Sequence, residues 1–314
     1  MRRVNRSFRI ITAFLAFCIL LVACQKQELQ VDENGNVIQT DDSNSAQGEE
    51  GALSLYNING DAITLLKDYN VKNKYKTFQS DKNKHQQMWD YFAKLIPQGD
   101  RRYIVEFEVI HGEGELLGYV TPIDDSDLSR WRMGLAIDQA GDLSKIDLAT
   151  EFAYTSIHEY GHVLTLNHTQ IDAAGASGSC GAFHLEEGCS NADSYINELY
   201  NIGWADIMGE FNKIKNDNQS YKFYEKYKDR FVTEYAASNP AEDIAEVFSV
   251  FVTAANAPTG NTIADQKVKA MYNYPELVTL RNEIRKNDVI RALKPGKWVR
   301  PRCKHGHGHQ EAAH

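Results

Sequence analysis

The sequence predicts an α+β fold of two lobes: a small sheet, a long helix that carries the chemistry, and a mostly helical C-terminal lobe. Three observations predict it. Period-two alternation of apolar and polar residues is concentrated between Tyr103 and Ile137. A helical pattern then runs from Asp147 to about Leu166. Beyond His168 the strand signals stop, and helix and loop signals take over.

Taken in order, Asp81 to Ile96 sets Met88, Phe92, Leu95 and Ile96 at helical spacing and is stopped by Pro97 and Gly99. Tyr103, Val105, Phe107 and Val109 alternate with Arg102, Ile104, Glu106 and Glu108, which makes Tyr103 to Ile110 a strand. Gly112 and Gly114 turn the chain into a second strand, Leu116 to Thr121, read as its hairpin partner. Trp131 to Ile137 is a third strand, bounded by Asp138 and Gly141. Asp147 is the expected N-cap of the helix that follows.

The N-terminus reads as an address. Arg2, Arg3, Arg6 and Arg9 precede an apolar run from Ile10 to Ala23, too short to span a membrane comfortably. Its ending, Leu21-Val22-Ala23-Cys24, resembles a bacterial lipobox, which implies removal of residues 1–23 and lipidation of Cys24. Gln25 gives no inner-membrane retention signal, so an outer-membrane lipoprotein facing the periplasm or the outside is expected. Residues 24–54 are polar and acidic and read as a flexible tether. Residues 55–303 form one domain, and residues 304–314 a disordered His-rich tail.

Charge and cysteine use narrow the partners. Lys and Arg number 34 against 43 Asp and Glu, a net charge of −9 that becomes more negative once the Arg-rich signal is removed. Such a chain is expected neither to bind nucleic acid nor to hold anionic lipid electrostatically, so the lipid anchor alone would keep it at the membrane, as a monomer. Cys18 leaves with the signal and Cys24 carries lipid, which leaves Cys180, Cys189 and Cys303. Cys180 and Cys189 are expected to form a disulfide worth about 2–3 kcal/mol. They are not expected to form a zinc site, because two further ligands are lacking nearby.

The chemistry concentrates in His158-Glu159-Tyr160-Gly161-His162. Two histidines four apart on a helix share one face, so both imidazoles can reach one metal ion, and the adjacent Glu can act as general base. Tyr160 and Gly161 read as structural, the small residue allowing close packing or substrate approach. A catalytic zinc normally takes three protein ligands, and two residues compete for third place. His168 gives the metzincin spacing, but Thr165 stands where that group has the glycine that ends the helix. A continuing helix would carry His168 about 15 Å along its axis, out of reach. The second candidate is Glu242. Asn239 can cap a helix beginning Pro240-Ala241-Glu242-Asp243, with Glu246 on the same face as Glu242 and Ile244, Val247, Phe248 and Phe251 available for packing. Acids in a first helical turn are ordinarily a solvated start, but in a chain with the His158 pentad they read as ligand and neighbour. Glu246, one turn on, could then hydrogen-bond a ligating histidine and fix its tautomer.

The pentad followed by a downstream Glu-bearing helix resembles the gluzincin metallopeptidases, of which thermolysin is one. The segment Arg230-Phe231-Val232-Thr233-Glu234-Tyr235 through Glu246 is similar to zinc-metallopeptidase lipoproteins of Bacteroidetes, and its Tyr-to-Glu spacing is similar to the catalytic domain of anthrax lethal factor. The resemblance covers a few dozen residues; the N-E-x-x-S-D pattern of thermolysin is absent, so its substrate pockets do not transfer. It implies a zincin-like fold, with zinc on His158, His162 and Glu242, Glu159 as base, Glu246 as the outer acid and Tyr235 as the phenol that steadies the oxyanion. The expected activity is hydrolysis of a peptide or protein substrate laid along an exposed edge strand, for which Trp131 to Ile137 is the choice. The alternative is a surface lipoprotein that binds zinc without turnover.

Overall fold

The computed structural model describes residues 22–25, 51–175 and 180–288. Residues 1–21 of the signal reading, residues 26–50 of the tether reading, and residues 289–314 with Cys303 and the His-rich tail lie outside the described residues.

The N-terminal part is a sheet of β1 (Val22–Gln25), β2 (Ala52–Asn59), β3 (Ala62–Asp68), β4 (Ile104–Ile110), β5 (Leu116–Asp124) and β6 (Asp127–Ala136). Its order is β1-β5-β6-β4-β2-β3, antiparallel except where β4 runs parallel to β6. β2 and β3 form a hairpin that the strand pattern above does not contain. Its turn is Asn59-Gly60-Asp61, where Gly60 takes a φ of 64° that a side chain would resist. The hairpin also starts inside the stretch read as tether, since Leu53 and Ser54 are fully buried.

Two strand expectations are corrected. β4 and β5 are not hairpin partners, because β6 lies between them. The tight turn is instead the one joining β5 to β6, where the Asp124 carboxylate accepts from the Ser126 backbone N–H at 2.9 Å. It follows that Trp131 to Ile137 is not an edge: β6 is interior, and Met133 and Leu135 are fully buried. Near the long helix β5 lies between β6 and β1, with β1 (Val22–Gln25) antiparallel to it at the edge of the sheet.

Short α1 (Lys76–Ser80) leads into α2 (Lys82–Leu95), capped by the Asp81 carboxylate accepting from the Lys84 N–H at 3.0 Å. α2 buries Met88, Trp89, Phe92 and Leu95, and the Trp89 and Phe107 rings lie 5.5 Å apart, joining helix to sheet. The long helix is α3 (Glu151–Leu166). Its N-cap is Thr150, whose Oγ1 accepts from the Ala153 N–H, and not Asp147, which lies a turn earlier and accepts from the Ala149 N–H. Every residue of α3 from Phe152 to Val163 is buried. It rests on β5 over Gly118, where a Cβ would fall 2.9 Å from the Thr155 methyl and 3.1 Å from Glu159 Cγ.

Two short strands, β7 (Ile171–Asp172) and β8 (Cys189–Ser190), pair after α3. The C-terminal part is helical: α4 (Tyr195–Gly203), α5 (Met208–Phe211), α6 (Asp217–Tyr227), α7 (Pro240–Thr253), α8 (Ile263–Met271) and α9 (Pro275–Lys286). Trp204 packs against the rings of Phe211, Phe223 and Phe231, and α7 runs through the middle with Ile244, Val247, Phe248 and Phe251 fully buried. Strands first and helices second give the mixed α/β architecture expected of an α+β chain. No helix among the described residues is long and apolar enough to cross a membrane.

Gly134 on β6 offers a test of the sheet. A Cβ there would fall 2.1 Å from the Tyr119 ring, whose hydroxyl donates to the buried Glu108 carboxylate. Gly134→Ala is expected to lower unfolding free energy by about 1–3 kcal/mol in urea titrations. An unchanged midpoint would mean that β5 and β6 are not in this register.

Candidate metal centre

The centre forms where α3 crosses α7. The crossing is close because Gly161 and Ala245 meet there: a Cβ on Gly161 would lie 3.3 Å from Ala245 Cα and 3.2 Å from Phe248. α7 is started by Asn239, whose Oδ1 accepts from the Glu242 N–H at 2.9 Å, with Pro240 in the first turn. This fixes the roll of α7 so that Glu242 and Glu246 face α3 and Asp243 faces away.

His158, His162 and Glu242 are all buried and bring their ligand atoms together. His158 Nε2 lies 3.0 Å from Glu242 Oε2 and 3.1 Å from His162 Nε2, and His162 Nε2 lies 3.4 Å from the same Glu242 oxygen. Donors bound to one ion at about 2.0–2.1 Å with tetrahedral angles stand about 3.3–3.4 Å from each other. The triangle therefore has the size of three ligands around one metal ion, and the group could hold one.

The surroundings set the protonation of the donors. Burial opposes charge on every group here, yet hydrogen bonds and the charges of Glu242 and Glu246 hold the His158 pKa well above its ordinary value. Burial lowers that of His162. Glu242 is held down at about 2 against its burial penalty by the two histidines. Glu246, likewise depressed against burial, accepts from His158 Nδ1–H at 2.9 Å, which fixes the tautomer that turns Nε2 to the metal position. Its other oxygen accepts from Tyr154 Oη at 3.0 Å and Thr233 Oγ1 at 2.6 Å. His162 Nδ1 has no hydrogen-bond partner among the described residues. The orientation of His162 thus depends on packing, and that of His158 on Glu246.

Glu159 is fully buried on α3 beside Gly118 of β5, and the half-buried Tyr235 ring lies 5.8 Å from that of His158. His168 is elsewhere: α3 ends at Leu166, and the exposed His168 ring packs edge-on to Tyr103 at 5.1 Å. Sequence reasoning missed Tyr154 and Thr233. Tyr154 had a signal, standing four residues before His158 on the same face; Thr233, in a loop, had none. It also missed what Asp243 does. That fully buried acid, its pKa raised by burial, accepts from Trp204 Nε1 at 2.7 Å and pairs with the buried Lys267 ammonium. The pair ties α7 to α8 directly behind Glu242.

Comparison with protein-family models, curated proteins and solved structures returned no match for this chain. Its chemistry must be read from its own residues.

Cys180 and Cys189 are joined in a disulfide with Cα atoms 5.6 Å apart and a sequence separation of 9, as expected from the sequence.

Metal content after dialysis against zinc, measured by mass spectrometry, tests the ligand set. One equivalent is expected in the wild type and in His168→Ala, and none in His158→Ala or Glu242→Ala. Glu246→Gln and Thr233→Ala are expected to weaken binding about 10–100-fold and by a smaller factor, respectively. Gly161→Val should separate α3 from α7 and reduce affinity more than Gly161→Ala does. Retention of metal in Glu242→Ala with loss in His168→Ala would overturn the assignment.

Proposed function

We propose that the chain is a zinc-dependent peptidase of zincin-like fold, displayed on the cell envelope as a lipoprotein. The observation that carries the reading is the joint placement of a buried His158–His162–Glu242 triangle and a buried carboxyl, Glu159, on the helix of the two histidines and beside β5. Two nitrogens and one carboxylate oxygen suit zinc among common divalent ions. A zinc ion held there would supply Lewis acidity, lowering the pKa of water and polarising a carbonyl.

The chain's own residues account for the rest. Glu159 takes the proton of the attacking water and returns it to the amine that leaves. The Tyr235 hydroxyl, beside the His158 ring, donates to the oxyanion that develops on the scissile carbonyl. Glu246 keeps His158 Nδ1 protonated and its ring oriented through the cycle. An extended substrate would take the place that Val22–Gln25 holds along β5, next to Glu159, rather than pair with β6, which is flanked by β4 and β5.

Zinc content and cleavage of a proteome-derived peptide library test the reading together. Glu159→Ala is expected to hold zinc and to lose activity by about 10²–10⁴-fold. Tyr235→Phe should keep zinc and lower kcat by up to about 10²–10³-fold. Zinc binding without cleavage of any peptide by the wild type would favour the non-catalytic binding protein instead.

A further inference from the structure

β1 is the weakest member of the sheet and stands at its most sensitive place. It is four residues long, it ends the strand order, and its pairing with β5 slips between Cys24 and Gln25. A strand this short, with a break in its register, is held by few ladder bonds. Its position is nonetheless specific. Val22 stands opposite Val120, Ala23 opposite Tyr119 and Cys24 opposite Gly118. Gly118 is where β5 meets the helix of the two histidines, since a Cβ there would fall 3.1 Å from Glu159 Cγ. The backbone of β1 approaches α3 as well as β5. The strand therefore crosses level with Glu159, along the line that an extended substrate would have to take.

The same four residues contain the expected processing point. On the lipobox reading the Cys24 thiol takes a diacylglyceryl group from a membrane phospholipid, whose phosphorylated head group leaves with the thiol proton. Water then cleaves the Ala23–Cys24 amide, which frees the Ala23 carboxylate with residues 1–23 and the Cys24 amine with the rest of the chain. That bond lies in the middle of β1. Val22 and Ala23 depart, and with them their pairings to Val120 and Tyr119. Cys24 and Gln25, which remain, are the pair between which the register slips. The lipid draws Cys24 into the bilayer, because burial of its many methylenes outweighs two ladder positions. A strand that processing divides cannot be the lasting edge of the sheet.

We infer that β1 is an autoinhibitory strand: in the unprocessed chain Val22–Gln25 occupies the substrate's place on β5, and removal of residues 1–23 with anchoring of Cys24 vacates it. The peptidase would be closed before export and open once it is fixed to its membrane. The inference rests on the peptidase and lipoprotein readings and adds regulation to them.

Three full-length forms, zinc-loaded in the same detergent, test it. They are the wild type purified from membranes, Cys24→Ser, which can be neither lipidated nor processed, and Ala23→Pro/Cys24→Pro. The last also keeps its leader, but one of two consecutive strand residues must donate to β5 and proline cannot. Intact mass reports processing, hydrogen exchange reports the β5 amides from Leu116 to Val120, and peptide cleavage reports KM and kcat. Cys24→Ser is expected to protect these amides and to raise KM by about tenfold or more with kcat unchanged, as a tethered competitor does. The double proline variant should return exchange and KM to the wild-type values with zinc content equal in all three. Equal exchange in wild type and Cys24→Ser, or a double proline variant as slow as Cys24→Ser, overturns the autoinhibitory strand and leaves the peptidase reading standing. A wild type that keeps residues 1–23 overturns the release step. Absence of cleavage by every form removes the peptidase reading, and the exchange of β5 then decides by itself whether β1 covers that edge.

Discussion

The close crossing of α3 and α7 is the constraint on which the centre depends. His158 and His162 lie on one helix and Glu242 and Glu246 on the other, more than eighty positions apart for the hydrogen-bonded His158–Glu242 and His158–Glu246 pairs. Ligand atoms 3.0–3.4 Å apart can be reached from two backbones only if nothing bulky separates the helices. Gly161 and Ala245 meet at the crossing and make that approach possible. Phe248 and Tyr160, with ring centroids 6.0 Å apart, fill the space beside it and set how far the helices can slide. Sheet, α2 and the helical lobe then serve to hold these two rods in place.

Three acids of α7 sit in or beside the crossing, and the structure treats each differently. An unpaired buried carboxylate is costly, so every one must be answered by a donor, a cation or a raised pKa. Glu246 is answered by an imidazole and two hydroxyls, and Asp243 by an ammonium and an indole N–H. Glu242 is answered by the histidines that share its ligand position. Adjacent Glu242 and Asp243 point to different partners, one to the histidines of α3 and one to Trp204 and Lys267. The Asp243–Lys267 pair matters to the placement of Glu242 because it ties α7 to α8 and resists rolling of α7 on its axis.

Much of this was legible in the sequence, and the parts that were not have physical reasons. The limits of α2 and the end of α3 follow from apolar spacing, and the start of α7 from Asn239-Pro240, because these signals are local. The spacing of Glu242 and Glu246 placed both acids on one face, and the structure turns that face toward the histidines. Strand order was not legible, since Gly112 and Gly114 announce a turn without saying which strand the chain will join. β6 takes the place beside β4 and pairs with β5 on its other side, and its Met133-to-Ala136 stretch is buried. The choice of Thr150 over Asp147 as cap depends on where the helix meets the sheet. Thr233 reaches Glu246 from a loop, across thirteen positions that no periodicity connects.

The arrangement of donors on two distant helices would make an ion held at this position a fastener of the fold. An ion bridging α3 and α7 closes a loop of about eighty residues, so the free energy of its capture is shared with that of folding. At a free-ion concentration a hundred times the dissociation constant, such a link adds about 2.7 kcal/mol to the folded state. The same link falls away as the ion becomes scarce. Resistance of the folded molecule to unfolding and proteolysis would thereby be coupled to the local supply of such an ion.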